Sequence, residues 1–139
     1  MVDRAAAEAL LARYLSACQM LDLGMICACF AARAVVVDPT SPTIKGRSQI
    51  HKYFEGLYSD LSALRLTTSP LYWQGDEIAC HWQGVAKRKD GNVIEYEGVD
   101  VFRLSAAPLI SRMQAFWDPR DFVDPTIPDR HENSIHIVV

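Results

Sequence analysis

Three side chains stand in sequence contexts that could support acid–base chemistry. Asp38 directly follows the apolar run AVVV, so it lies where a buried strand emerges. Asp100 lies within YEGVDVFRL, a segment that alternates as a strand does. A carboxyl group on an apolar strand face is costly if it is ionised and unpaired, so it pairs with a cation, faces solvent or stays protonated. Tyr14 adds a hydroxyl on the apolar stripe of an N-terminal helix.

Each of these residues also has an ordinary structural interpretation. Asp38, in an Asp-Pro pair, could be a turn residue that hydrogen-bonds its own backbone. Asp100 would face solvent if Val99 and Val101 pointed into the core instead. Tyr14 could be a core tyrosine with one satisfied hydroxyl. The alternation pattern alone leaves both interpretations open.

The elements that would position these residues follow from the apolar periodicity. Helices are expected from Asp3 to about Leu21, from Leu23 to about Phe30 after a capping Asp22, and after Gly46 over RSQIHKYFEGLYSDL. A short strand, Ala34–Val37, precedes the third helix. From there period-two patterns predict five strands, at Ala63–Thr68, Leu71–Gln74, Glu77–Arg88, Asn92–Leu104 and Ile110–Asp118. Three helices followed by a meander indicate an α+β domain.

Composition restricts the classes of function. The 139 residues suit one domain, and the 50% apolar content can supply both a core and an apolar cavity. The net charge of -3, with scattered basic residues, argues against a nucleic-acid partner. No apolar run reaches the roughly 18–20 residues of a membrane span, and the charged N-terminus is unlike a signal peptide. We therefore expect a cytoplasmic protein with no membrane partner.

Cysteine and histidine spacing predicts neither a metal site nor a cofactor. The cysteines lack CxxC spacing, and the histidines show no ligand-like pairing. Free thiols packed as small apolar side chains are the simplest interpretation of Cys18, Cys27, Cys29 and Cys80.

Five segments resemble, in order, the bacterial ketosteroid isomerases, which are SnoaL-like members of the nuclear-transport-factor-2-like (NTF2-like) superfamily. They are LLARYL around Tyr14, AVVVDP around Asp38, KGRSQIHKYF, GVDVFRL around Asp100 and MQAFWDP around Trp117. The resemblance covers roughly residues 8–118. It implies a cone-shaped, strongly curved antiparallel sheet closed by three N-terminal helices, an NTF2-like or cystatin-like α+β barrel. We expect one domain over residues 1–118, and a tail over 119–139 that is extended or partly disordered.

The resemblance implies roles for these residues. Asp38 falls at the position of the family's general base, Tyr14 at that of the oxyanion-hole phenol, and Asp100 at that of the oxyanion-hole acid, which this family keeps protonated at pH 7. Trp117 stands at a pocket wall in some members. The remaining pocket residues are expected to be Phe30, Phe54, Trp82, Phe102 and Met113.

Two features of the expected pocket depend on side-chain direction. Some family members back the phenol with tyrosines where this chain has Phe30 and Phe54. Tyr53 is turned by about 100° from Phe54 on a helix, so we expect no tyrosine to donate to Tyr14. On the strand Glu77–Arg88 either Trp82 or its neighbours face inward, and we expect Trp82 to do so because this buries more apolar area.

Three functions are compatible with the sequence. The leading hypothesis is an isomerase that shifts a proton α to a carbonyl on an apolar, steroid-like or polycyclic substrate. The alternative is a polyketide or terpenoid secondary-metabolite cyclase or dehydratase that uses the same Asp pair. The third is a non-catalytic ligand-binding or dimerisation module, which gains nothing from two carboxyl groups in its cavity. A homodimer is expected through the apolar outer sheet face that carries Val99, Val101, Ile110 and Phe116.

Overall fold

The computed structural model describes residues 2–123. Its helices are α1 (Arg4–Gln19), α2 (Leu23–Ala28), α3 (Gly46–Tyr58) and α4 (Pro119–Val123). Each of the first two begins at an aspartate cap, as expected from the sequence. Asp3 accepts a hydrogen bond from the backbone N–H of Ala6 at 3.1 Å, and Asp22 accepts one from that of Met25 at 3.0 Å. These bonds satisfy donors that have no partner within the helix.

Within the described residues, seven strands form one sheet. They are β1 (Phe30–Val37), β2 (Ile44–Lys45), β3 (Leu61–Thr68), β4 (Tyr72–Gln74), β5 (Glu77–Arg88), β6 (Val93–Leu104) and β7 (Ile110–Trp117). The order is β2-β1-β7-β6-β5-β3, and β4 also pairs with β5. The long strands β5 and β6 form a hairpin whose turn holds Gly91 at φ 95°, a conformation that glycine adopts without strain.

One strand pair departs from the expected antiparallel arrangement. β1 runs parallel to β7, with Phe30 opposite Ile110 and Val37 opposite Gln114. Apolar periodicity reports which residues face inward, but it carries no information on the direction of two strands that are distant in sequence. The sheet is therefore mixed, curved and unclosed, and the fold class is the α+β one that was expected.

The core lies between the inner face of the sheet and the helices. The largest fully buried side chains include Leu10 of α1, Ile50 and Phe54 of α3, and Ile78 and Ile94 of the sheet. Ile110 also belongs here, since it is 0% exposed, and its expected place on the outer face is wrong. The β6–β7 register shifts at this point, and such an irregularity turns a side chain to the other face of a sheet.

The C-terminal segment begins as a helix. Asp118 accepts a hydrogen bond from the backbone N–H of Arg120 at 2.9 Å, and Pro119–Val123 forms α4 where an extended tail was expected. The remainder of that predicted tail, residues 124–139, lies outside the described residues. Within residues 2–123 no helix is long and apolar enough to cross a membrane.

Candidate functional site

A cavity of about 480 Å³ lies between the inner face of the sheet, α1, α3 and the loop that joins β3 to β4. This volume falls in the usual range for small-molecule sites. Its wall is largely apolar and includes six amphipathic aromatic residues, namely Tyr14, Tyr53, Tyr58, Tyr96, Trp82 and Trp117. Among the described residues no lysine, arginine or histidine borders it, and the acidic residues that do are Asp100 and the exposed Glu8.

Asp100 borders the cavity from β6. Burial raises the pKa of its carboxyl group from 3.8 to about 7, and the charge of Asp38 adds to the effect, whereas the nearby Trp82 indole opposes it. The side chain keeps partial accessibility because it borders the cavity, although it is shielded from bulk water. Near neutral pH both the protonated and the ionised forms are therefore populated, so this carboxyl group can give or take a proton.

Trp82 borders the same cavity from β5, with the inward direction expected from its size. Its indole N–H is buried and meets no hydrogen-bond acceptor among residues 2–123. The N–H is close enough to Asp100 to lower the pKa of that carboxyl group, yet it does not reach hydrogen-bonding geometry. On the outer face of the sheet the neighbouring His81 places Nε2 3.3 Å from Oε2 of Glu97.

Tyr14 projects from α1 into the cavity, and its hydroxyl donates to Sδ of Met113 at 3.4 Å. A thioether is a weak acceptor, so a ligand oxygen can compete for this donor. Burial raises the pKa of Tyr14 well above its ordinary value, which keeps the proton on the phenol. Its ring makes edge contacts with Phe54 and Phe102, with centroids 6.3 and 5.9 Å apart.

Cys18 and Tyr58 also border the cavity, and sequence analysis did not assign them to the site. Burial raises the pKa of the Cys18 thiol to about 12, and the nearby hydroxyls of Tyr14 and Tyr58 oppose this effect. Both residues follow an identified cavity residue by four positions on the same helix, Tyr14 on α1 and Phe54 on α3. Residues four positions apart lie on the same helix face, so this spacing in the sequence predicts that Cys18 and Tyr58 border the cavity.

Asp38 lies behind the cavity wall instead of bordering it. It is 5% exposed at the end of β1. Its Oδ1 accepts from the Tyr53 hydroxyl at 2.6 Å and from Nε1 of Trp117 at 2.8 Å, and both of those residues border the cavity. Its Oδ2 accepts from the backbone N–H of Thr40 at 2.9 Å and from the Thr40 hydroxyl. The carboxylate thus closes an Asx turn and anchors two side chains of the wall.

Most of the expected pocket residues border the cavity, namely Phe54, Trp82, Phe102, Met113 and Trp117. Phe30 does not, and its assignment to the pocket is wrong. It is 0% exposed at the start of β1, where it packs beneath Tyr14 with the ring centroids 5.8 Å apart. Tyr53 borders the cavity, and its hydroxyl bonds Asp38 rather than Tyr14.

Within residues 2–123 no group of three or more histidine, cysteine or acidic side chains is arranged to hold a metal ion. The four cysteines are free thiols, of which Cys18, Cys29 and Cys80 are buried. The side chains that border the cavity offer proton transfer by a carboxyl group and hydrogen bonding by phenols.

Comparisons with known proteins agree with this architecture. The sequence profile of the SnoaL-like domain family matches residues 11–113. No curated protein sequence matches the chain. Among solved structures, an NTF2-like protein of unknown function from Exiguobacterium sp. 255-15 is similar with a TM-score of 0.69 and 18% identity, over 78% of this chain and 98% of that one.

Two further similar structures are described by their chemistry or by a bound compound. One is the epoxide hydrolase/cyclase-like enzyme SalBIII, which is described as having a role in pyran ring formation in the polyether salinomycin. It is similar with a TM-score of 0.75 and 21% identity, over 87% of this chain and 97% of its own. TerC, co-crystallised with polyporic acid, has a TM-score of 0.70 and 16% identity over 81% and 92%. At these identities the likeness shows the fold alone.

Proposed function

Because the chain belongs to the SnoaL-like domain family, we propose that it is an acid–base enzyme that acts on an apolar, oxygen-bearing small molecule held in the cavity. The observation that carries this proposal is the position of Asp100, which borders a mostly apolar cavity of about 480 Å³. Burial there raises the pKa of its carboxyl group to about 7. A carboxyl group with a pKa near the working pH is suited to general acid–base catalysis.

Isomerisation next to a carbonyl group is the first candidate reaction. Removal of a proton α to the carbonyl places negative charge on the oxygen. Neutral Asp100 and Tyr14 are donors without a repelling charge, and one such donor in a dry site contributes roughly 3–4 kcal/mol to transition-state stabilisation. A steroid-like or polycyclic ketone suits the aromatic wall, which includes Trp82 and Trp117.

Two residues, Asp38 and Asp100, are candidates for the base in this isomerisation. Asp38 would take the proton according to the family resemblance, but direct contact with a C–H bond requires Tyr53 and Trp117 to move away from its Oδ1. The ionised form of Asp100 is the competing base, since it borders the cavity without such a barrier.

Ring closure is the second candidate, and two observations favour it. SalBIII, which shares this fold, is described as epoxide hydrolase/cyclase-like. In a cyclisation the base takes a hydroxyl proton, which can pass along the hydrogen bond from Tyr53 to Asp38. Asp100 can protonate the oxygen that leaves the attacked carbon.

The test is an assay with a β,γ-unsaturated 3-ketosteroid, followed at the absorbance of the conjugated enone, together with a hydroxy-epoxide followed by chromatography. Enone formation that falls at least about 100-fold in Asp100→Asn supports the isomerase, and ring closure with the same dependence supports the cyclase. Asp38→Asn then reports on the base. Asp76→Asn, an exposed substitution in the β4–β5 turn, is the matched control.

A third outcome would contradict enzymatic function. If both compounds bind with micromolar affinity and neither is converted above the rate in buffer, the protein is a ligand-binding module. If conversion occurs but is unchanged in Asp100→Asn, the enzyme does not use Asp100 as its proton-transferring group.

A further inference from the structure

The direction of the hydrogen bond between Tyr53 and Asp38 follows from its surroundings. Oδ1 of Asp38 accepts from the Trp117 indole, and Oδ2 accepts from the backbone N–H of Thr40. Both partners are N–H groups, which can only donate. With the Thr40 hydroxyl on Oδ2 and the Tyr53 hydroxyl on Oδ1, four donors match the acceptor positions of an ionised carboxylate. Tyr53 therefore donates its proton to Asp38.

This direction determines what Tyr53 can offer to a ligand. A phenol has one proton, and in Tyr53 that proton is committed to a charge-assisted bond of 2.6 Å. The oxygen keeps lone-pair capacity, and Tyr53 borders the cavity. Towards a ligand Tyr53 is thus an acceptor, although phenols in such sites are usually considered as donors.

Two other residues of the cavity wall act as hydrogen-bond donors towards a ligand. Tyr14 donates to the weak thioether acceptor of Met113, so its O–H can be redirected to a ligand oxygen. Asp100 in its neutral form is a second donor, and it lies close enough to Tyr53 to act on it electrostatically. The cavity wall therefore carries the donors Tyr14 and Asp100 together with the acceptor Tyr53, and no cationic side chain of the described residues borders it.

We propose that Tyr53 recognises a hydroxyl group of the ligand as a hydrogen-bond acceptor, and that Asp38 is the positioning residue that imposes this role. The substrate class is then an uncharged hydroxy-carbonyl compound, with its carbonyl oxygen at Asp100 and Tyr14 and its hydroxyl at Tyr53. This inference rests on the proposed use of the cavity as the substrate site, and it names the polar groups that the substrate must carry.

Three probes of equal skeleton test the proposal by binding alone, namely 6-hydroxy-1-tetralone, 6-methoxy-1-tetralone and 1-tetralone. The hydroxy compound can donate to Tyr53, whereas the methoxy compound cannot. We expect it to bind roughly 3–10-fold more tightly than the methoxy compound, the range of one net hydrogen bond. In Tyr53→Phe this ratio should fall to about 1, and in Tyr72→Phe, at a tyrosine that is 63% exposed, it should not change.

A second variant separates recognition from support of the fold. In Asp38→Ala the Tyr53 hydroxyl loses its acceptor, which frees the Tyr53 proton to turn towards the cavity. The hydroxy-to-methoxy ratio should then fall without loss of Tyr53. An unchanged ratio in a folded Asp38→Ala variant would show that Asp38 does not impose the acceptor role.

A measurement on the unsubstituted protein remains informative if Tyr53→Phe does not fold. Donation to Tyr53 and burial in the apolar cavity both stabilise the protonated phenol, so bound 6-hydroxy-1-tetralone should ionise at a higher pH than the free probe in an absorbance titration. Ionisation at a lower pH would place its oxygen among donors and overturn the proposal. So would a hydroxyl preference that survives in Tyr53→Phe.

These measurements do not depend on turnover. A Tyr53-dependent hydroxyl preference without conversion of any substrate would support this inference and refute the proposed enzymatic function. Conversion with a Tyr53-independent preference would have the opposite meaning.

Discussion

Cζ2 of Trp82 lies 2.6 Å from the point at which a Cβ on Gly98 would stand, and the two residues face each other across β5 and β6. In the next inward pair the glycine is on β5 and the aromatic residue on β6, since Gly84 faces Tyr96. A Cβ on Gly84 would stand 2.7 Å from Cε1 of that ring. Each ring thus covers a glycine of the neighbouring strand. The two rings meet with centroids 5.1 Å apart and build this part of the cavity wall.

Gly98→Ala should therefore damage both stability and the cavity. The added methyl group meets the Trp82 ring and the backbone carbonyl of Phe116, and the carbonyl cannot move without disturbing β7. Overpacking of this kind costs about 1–3 kcal/mol, measurable as a lower midpoint of urea unfolding. Gly56→Ala is the control, because nothing lies within 4 Å of its Cβ position and alanine favours a helix. Equal midpoints for Gly98→Ala and Gly56→Ala would contradict the described packing.

Asp100→Asn should change how stability depends on pH. The folded pKa of Asp100 is raised from 3.8 to about 7, so as pH rises the unfolded chain releases this proton first. Between these values the folded state binds more protons, and the free energy of unfolding falls by about 1.4 kcal/mol per pH unit from this group. The loss is complete above the folded pKa. The variant should be more stable than the parent at about pH 8 and similar to it at about pH 4.

Urea unfolding of the parent, Asp100→Asn and the exposed control Asp76→Asn at both pH values gives the comparison. The control removes a carboxyl group without removing a buried one. If Asp100→Asn follows the control at both pH values, Asp100 ionises as a surface carboxylate does and cannot serve as a neutral donor at pH 7.

Asp38→Ala should destabilise the fold far more than Asp38→Asn. Alanine leaves the partly buried donors of Tyr53 and Trp117, and those of the exposed Thr40, without this acceptor, and an unsatisfied donor costs about 1–3 kcal/mol where it is buried. Asparagine keeps one acceptor oxygen and nearly the same volume. The two variants are compared by thermal and urea unfolding. Equal and small losses would show that the hydrogen bonds at Asp38 contribute little to the fold.

A homodimer through the outer face of the sheet remains a proposal, with a revised set of residues. Val99 and Phe116 face each other on adjacent strands and are 36% and 51% exposed, and Val85 on β5 is 40% exposed. Ile110 is removed from this set because it is buried, whereas Val101 is only partly buried and stays in it. Light scattering at micromolar concentration should give twice the mass of the chain, and Phe116→Glu should give the mass of the chain itself. A monomer mass for the parent protein would refute the proposal.

The sequence was sufficient where local periodicity decides the structure. The expected strand Glu77–Arg88 coincides with β5, because alternation in a strand with one buried face is specific. The surroundings of Asp38 could not be derived in this way. Its bond to Trp117 joins residues 79 positions apart, and its separation from the cavity depends on where Tyr53 and Trp117 are packed. A motif identifies the residue type, whereas tertiary packing determines which atoms a ligand can reach.

The parallel pairing of β1 with β7 has a consequence for the order of folding. Phe30 and Ile110 are 80 positions apart, so the chain must close a long loop before this pair forms. The entropy of that closure is unfavourable until the contacts on both strands are made, which slows folding. β7 follows β6 after a short loop and can dock on it early, whereas the hydrogen bond from Trp117 to Asp38 forms only when β1 docks on β7. A chain in which β1 has not yet docked on β7 therefore lacks the contact that anchors Trp117 in the cavity wall.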